Sequence, residues 1–548
     1  MRIVHGFLYF VFLFSFSIEA QQFPDLVTEQ TQFQSTSRYA DVMRVVDFVA
    51  ESYPNVSVEY FATSLEGKRL PLLIFSDRKI GSPGEARQLN RPIVLVLGNI
   101  HAGEVEGKEA TLLFMREIVN KMHEDDLKKL ILLVVPIYNA DGNDKIVRTN
   151  RISQNGPSRG VGVRATSEGY DLNRDLVKLE SIEARGLVDS VFNRWDPILY
   201  MELHTTNGSF HGYHLTWANG LSPNTDPAIT AFQADVMMPE ITKRMLARSW
   251  RIFPYGDYRR EAYPDSGWYT FGHQPRYGTN YYPLRNRLSL LSESYSYVDF
   301  ENRIKLVKDF ISETLTFCMS HSDELMKLRS TLARQYSQYH RNAEAGVKFT
   351  FADPRVMKHL TGSVDTVVDK ESGLRTYKMR QETRELDVPV YDRFRPTMSR
   401  PIPFAYAIDN HTGRYNAALE KLKLHGMEIR EITAEEPVAV SVFKASSIKQ
   451  ASRAYQKHVS VSVSGEFLDA QQSLKGWISV STVDDKRNLI FYLLEPESDD
   501  GLVAWNYFDY ALDKGTDEPF PIVKIMSPVA LKTVDATLAK PPTKDREE

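Results

Sequence analysis

At 548 residues the chain is long for a single hydrophobic core, so two folded units are expected. Apolar residues make up 42% and charged residues 25%, the balance of a soluble globular protein. A net charge of −4 excludes a broad basic footprint for nucleic acid or for an anionic membrane surface.

Met1 and Arg2 precede FLYFVFLFSFSI, an apolar run from Phe7 to Ile18, and Glu19-Ala20 follows. This is the pattern of a signal peptide over residues 1–20, with a mature chain beginning near Gln21. Twelve apolar residues are too few to span a bilayer, so no membrane insertion is expected after cleavage. Cys318 is the single cysteine, which rules out an internal disulfide and favours a bacterial periplasmic or secreted setting.

From about residue 38 to 320, helical and strand-like segments alternate. RYADVMRVVDFVAESY has helical period, and VSVEYFATS with RLPLLIFSD reads as a strand pair around LEGK. Apolar strands follow at Ile93–Leu97, Leu130–Tyr138 and Pro197–Leu203 and in RLSLLSES, spaced by helices. Continuous apolar strands of this kind belong to a mainly parallel sheet covered on both faces. Ligands bind such sheets beyond the carboxyl ends of the strands. The expected layout is a catalytic domain over 30–325, a charged helical connector over 326–345 and a β-rich domain over 346–535. That last domain contains one helix near YNAALEKLKLHG, and a disordered tail covers 536–548.

The stretch GNIHAGEVEGKEA places His101 and Glu104 three residues apart, just past the strand Ile93–Leu97. A catalytic zinc takes three protein ligands and keeps one position open. No H-E-x-x-H is present, so the third ligand must come from another strand end, and MELHTTNG offers His204 past Pro197–Leu203. His211 and His214, in SFHGYH, compete for the metal. His211 is expected to touch the ligands or the substrate, and His214 to be structural.

HAGEVEGKEA, QNGP, YDLNRD, ELHTT and LSESYSY occur in that order. Together they resemble the zinc carboxypeptidases of the carboxypeptidase A type, closest to an exported bacterial branch with an extra C-terminal domain. The resemblance implies an α/β fold with a mixed, mainly parallel eight-stranded sheet between helices. It also implies one zinc ion per chain on His101, Glu104 and His204. Asp171 falls where the family hydrogen-bonds the first histidine ligand, and it would fix that ring's orientation. Asn173 and Arg174 match the pair that receives a terminal carboxylate, a group suited to a guanidinium fork.

Glu293 ends an apolar strand, where a carboxylate is costly unless it serves a site. It is the expected general base, returning its proton as an acid to the leaving amine. Arg151, preferred to Arg148, would stabilise the oxyanion. The loop WYTFGHQPRYGTNYYPLRNR holds Tyr269, Tyr277, Tyr281 and Tyr282. Spacing alone does not choose among them, and Tyr281 is taken as the substrate contact. Arg285 and Arg287 would either meet an acidic substrate or face solvent.

The resulting reading is an exported zinc metallocarboxypeptidase that removes C-terminal residues from peptides with a free carboxylate, using a zinc-activated water. A zinc amidase acting on peptidoglycan stem peptides or another branched amide is the alternative. A non-catalytic peptide- or glycan-binding protein on the same fold is the third reading. Nucleic acid is not an expected partner, and the oligomeric state is not written in the sequence.

Overall fold

The computed structural model describes residues 22–206, 208–261, 263–368, 373–513, 515 and 520–538. The expected signal peptide over 1–20 lies outside them, as does most of the expected tail. No helix among the described residues is long and apolar enough to cross a membrane.

The first half is built on an eight-stranded mixed sheet. Its strands are β1 (Val56–Thr63), β2 (Arg69–Phe75), β3 (Ile93–Leu97), β4 (Ile131–Val135), β5 (Leu199–Thr206), β6 (Leu215–Ala218), β7 (Ile252–Pro254) and β8 (Leu288–Tyr295). They lie in the order β1-β2-β4-β3-β5-β8-β6-β7. The central run β4-β3-β5-β8 is parallel throughout. Every residue of β3 and β4 is buried, which explains their unbroken apolar runs. β4 stops at Val135, ahead of Pro136, which cannot donate to a ladder.

Helices α1 (Tyr39–Ser52), α2 (Glu106–Val119), α3 (Phe300–Ser320) and α4 (Ser322–Tyr336) accompany this sheet, with α3 packed on α2. α1 buries Val42, Val45, Val46 and Val49, the stripe of a surface helix on a core. α2 lies close on β5 because residue 107 is glycine. A Cβ there would stand 2.6 Å from Leu203 Cβ.

Beyond residue 346 the chain is β-rich, as expected. A seven-stranded sheet contains the long hairpin β11 (Val438–Gln450) and β12 (Val461–Gln472). A shorter hairpin, β9 (Val364–Val368) and β10 (Arg375–Met379), returns to the first half, where Met379 N donates to Tyr297 O at 2.8 Å. Strand Arg384–Tyr391 pairs in parallel with Trp268–Tyr269, so one small sheet draws strands from both halves. A single apolar core runs from β3 and β4 through Tyr281 and Tyr282 to Leu489–Leu494.

Candidate metal centre

Strand register assembles the site. Across β3 and β5, Leu97 stands opposite Glu202; across β5 and β8, His204 stands opposite Glu293. Aligned residues of parallel neighbours point to the same side, so the carboxyl ends of three adjacent strands converge. The loop from β3 into α2 then adds His101 and Glu104.

His101, Glu104 and His204 are all buried and could hold one metal ion. His101 Nδ1 lies 3.1 Å from Glu104 Oε2, and His204 Nδ1 lies 3.2 Å from His101 Nδ1 and 3.0 Å from Glu104 Oε2. A tetrahedral ion with bonds of about 2.0–2.1 Å needs neighbouring ligand atoms roughly 3.3 Å apart. The triangle and its donor set of two imidazoles and a carboxylate therefore fit zinc.

The surrounding groups hold these ligands in place. His101 Nε2 meets Asp171 Oδ1 at 3.1 Å, which directs Nδ1 into the triangle. Burial alone would raise the Asp171 carboxyl. The hydrogen bond to His101 and the charges of His101, Arg164 and Arg174 outweigh it, and the group sits well below the usual carboxylate range. His204 Nε2 faces Asn173 Nδ2 at 3.4 Å and Glu202 Oε2 at 3.8 Å. Glu202 in turn accepts from Tyr200 OH at 2.9 Å and from Thr279 N at 3.0 Å.

A cavity of about 210 Å³ opens on His101 and Glu104, lined also by Glu293, Arg151, Arg164, Arg174, Tyr255 and Tyr277. Glu293 is half-buried, and desolvation together with the Glu104 charge pushes its carboxyl up to about 8. Its Oε2 has no hydrogen-bond partner among the described residues. Arg151 adopts a left-handed φ of 53° and is tied down through all three nitrogens. They donate to Gln154 Oε1 at 3.0 Å, Glu104 Oε1 at 3.1 Å and Thr205 O at 2.6 Å. Arg148 lines a neighbouring cavity instead.

Several expectations are corrected. Tyr281 is not a substrate contact: it is fully buried, and its hydroxyl meets His425 Nδ1 at 2.8 Å. Tyr277 lines the cavity in its place, with the Arg174 guanidinium 4.2 Å above its ring. Asn173 lines the cavity beside Arg174, as expected for a substrate contact; its Oδ1 accepts from Gly278 N at 2.9 Å while Nδ2 faces His204. Arg285 and Arg287 neither face solvent nor reach the cavity. They are buried against Asn193 Oδ1 (2.8 Å) and Asp196 Oδ2 (2.7 Å). His211 packs against Tyr295 with ring centres 4.0 Å apart, and burial pushes its imidazole pKa down to about 3. His214 Nδ1 accepts from Arg251 N at 3.0 Å, and neither histidine joins the triangle.

Arg164 was not foreseen. Its Nε donates to Asp171 Oδ2 at 2.8 Å, and NH1 lies 3.6 Å from Glu104 Oε1. It sits in an irregular loop, and no periodicity marks it.

A model of the zinc carboxypeptidase family matches residues 42–202, a stretch that holds His101, Glu104, Asp171 and Arg174 and ends before His204. Mouse carboxypeptidase Z is 29% identical over 150 residues, covering 26% of this chain and 22% of the relative. Caenorhabditis elegans carboxypeptidase E is 29% identical over 141 residues, covering 24% of this chain and 28% of the relative. The chain thus spans less than a third of the length of these relatives. A metallo-carboxypeptidase structure from Pseudomonas aeruginosa superposes with a TM-score of 0.38 at 18% identity, covering 52% of this chain and 69% of that one. Over residues 42–202, then, this chain is similar to the zinc carboxypeptidases.

Proposed function

We propose that the chain is an exported, zinc-dependent metallocarboxypeptidase that hydrolyses the C-terminal peptide bond of peptides. The observation that carries this reading is a triangle of three metal donors beside a cavity that gathers Glu293, whose Oε2 is buried and unpaired, and three arginines. Zinc bound by His101, Glu104 and His204 would polarise the scissile carbonyl and acidify a water.

The chain's own groups supply the rest. Glu293, lifted toward neutrality by burial and Glu104, takes a proton from the attacking water and returns it to the leaving amine. Arg151, locked by Gln154, Glu104 and Thr205, faces the charge that grows on the carbonyl oxygen. Arg174 has Nε and NH1 engaged by Tyr455 and by its neighbour's carbonyl, leaving NH2 for the substrate's terminal carboxylate. Export rests on the leader run, and residues 30–325 are taken as the catalytic unit, with 326–345 as its connector.

Digestion of a peptide library by the purified protein tests this, read by mass spectrometry. Single residues should leave free-acid C-termini, a zinc chelator should stop the reaction, and added zinc should restore it. His204→Ala should lose most of its zinc, having lost one of three ligands. Cuts inside long peptides, or digestion indifferent to the chelator, would reject the assignment.

A further inference from the structure

The hairpin β11–β12 closes in a two-residue turn. Tyr455 N donates to His458 O at 2.7 Å, and His458 N to Tyr455 O at 3.0 Å. The central residues, Gln456 and Lys457, have φ of 49° and 68°. Turns of this type favour Asn-Gly, because both central positions are left-handed. Two residues with long side chains there store backbone strain, which persists only where the surroundings over-determine it.

Those surroundings are the segment that carries Asp171 and Arg174. Gln456 Oε1 accepts from Asp171 N at 3.3 Å, beside the carboxylate that orients His101. Lys457 Nζ donates to Glu168 O at 2.8 Å and stands 3.6 Å over the Tyr170 ring. His458 Nε2 meets Glu180 Oε1 at 2.8 Å. Within this clamp, Tyr455 OH accepts from Arg174 Nε at 3.0 Å.

The opposite side of Arg174 is held from the same distant region. Tyr277, whose ring underlies Arg174, follows Arg276. Arg276 donates through N to Asp500 Oδ2 at 2.8 Å and pairs through NH2 with Asp500 Oδ1 at 2.8 Å. Trp505 Nε1 also donates to Asp500 Oδ1 at 2.8 Å, which completes the brace.

We infer that Tyr455 is a positioning residue for recognition of the substrate's C-terminal carboxylate, acting through Arg174, so that the β-rich region supports the substrate site of the catalytic unit. This rests on the reading of Arg174 as the carboxylate receptor. A free arginine side chain samples many rotamers, and fixing it before the substrate arrives removes that entropy cost from binding. Tyr455 and the Asn173 carbonyl fix two of its three nitrogens, and Tyr277 fixes its plane.

The test uses zinc-loaded full-length protein in the non-turnover background Glu293→Gln. A mixed library of N-acetyl dipeptides, made once as free acids and once as amides, is equilibrated with it by dialysis. Tyr455→Phe should weaken retention of the acids about threefold to tenfold, the worth of one partly exposed hydrogen bond to a charge. Retention of the amides and zinc content should not move. In an Arg174→Ala background, Tyr455→Phe should have no further effect. Equal weakening of acids and amides, an additive effect on top of Arg174→Ala, or no effect of Tyr455→Phe would each overturn the proposal. So would a parent protein with no preference for acids, since nothing would then need positioning. A wild-type protein that prefers acids but cleaves neither would reject the hydrolase reading and leave the Tyr455 inference standing.

Discussion

At the carboxyl ends of β3, β5 and β8, residues reach the site because backbone register carries them there, Glu293 opposite His204 and Leu97 opposite Glu202. In the β-rich half, Tyr455 and Asp500 reach the same site from a hairpin tip and a loop, and Tyr455 touches an arginine 281 positions away. The first set is fixed by a buried sheet whose core packs independently of any single polar contact. The second set consists of side-chain contacts, exposed at Tyr455 and buried at Asp500, that adjust groups already in place. Losing a member of the first should remove function, whereas losing a member of the second should change its degree.

The largest effect should come from the strand end. Glu293→Gln keeps the shape and cannot accept a proton, so turnover should fall by at least ~10²-fold while zinc content stays near wild type. Full turnover in this variant would break the comparison at its root. Glu202 could not take over easily, because Thr279 and Tyr200 already occupy its oxygens.

Arg174→Ala should act between the two extremes, since its backbone belongs to the first half of the chain and its Nε is held by the β-rich half. Arg174 is half-buried, so the low end of the range for a lost charge pair applies, about 2 kcal/mol. That is about 30-fold in kcat/KM for free-acid peptides, with little change for amidated ones. Comparing the two substrate forms by initial rates checks it. An equal loss on both would assign Arg174 to structure.

The same contrast explains what was legible in the sequence. Apolar runs mark strands, strand ends mark ligand positions, and so His101, Glu104 and His204 could be named together. Asp171, Asn173 and Arg174 entered only through resemblance, because their loop has no period. Tyr281 was misplaced for a local reason. Gly278–Tyr281 forms a helical turn, and Tyr277 precedes it facing the cavity while Tyr281, at its end, turns toward His425. A run of tyrosines carries no sign of that rotation. Arg285 and Arg287 looked like surface charges because their partners Asn193 and Asp196 lie about ninety residues earlier. Tyr455 was invisible for the same reason at greater range.

The smallest effect should come from the hairpin turn itself, and it isolates strain from contact. Lys457 sits at φ 68°, a conformation that costs a side-chain-bearing residue about 1–2 kcal/mol relative to glycine. Its ammonium regains part of this through Glu168 O and the Tyr170 ring, the latter worth about 0.5–1 kcal/mol at an exposed site. Lys457→Ala loses those contacts and keeps the strain, so it should be destabilised by up to about 1 kcal/mol. Lys457→Gly loses the same contacts and relieves the strain, so it should lie above Lys457→Ala by about 1 kcal/mol and close to the parent. Urea midpoints at unchanged slope measure the difference. If the alanine and glycine variants unfold together, the turn stores no strain at this position. The clamp on Asp171 and Arg174 would then rest on its side-chain contacts alone.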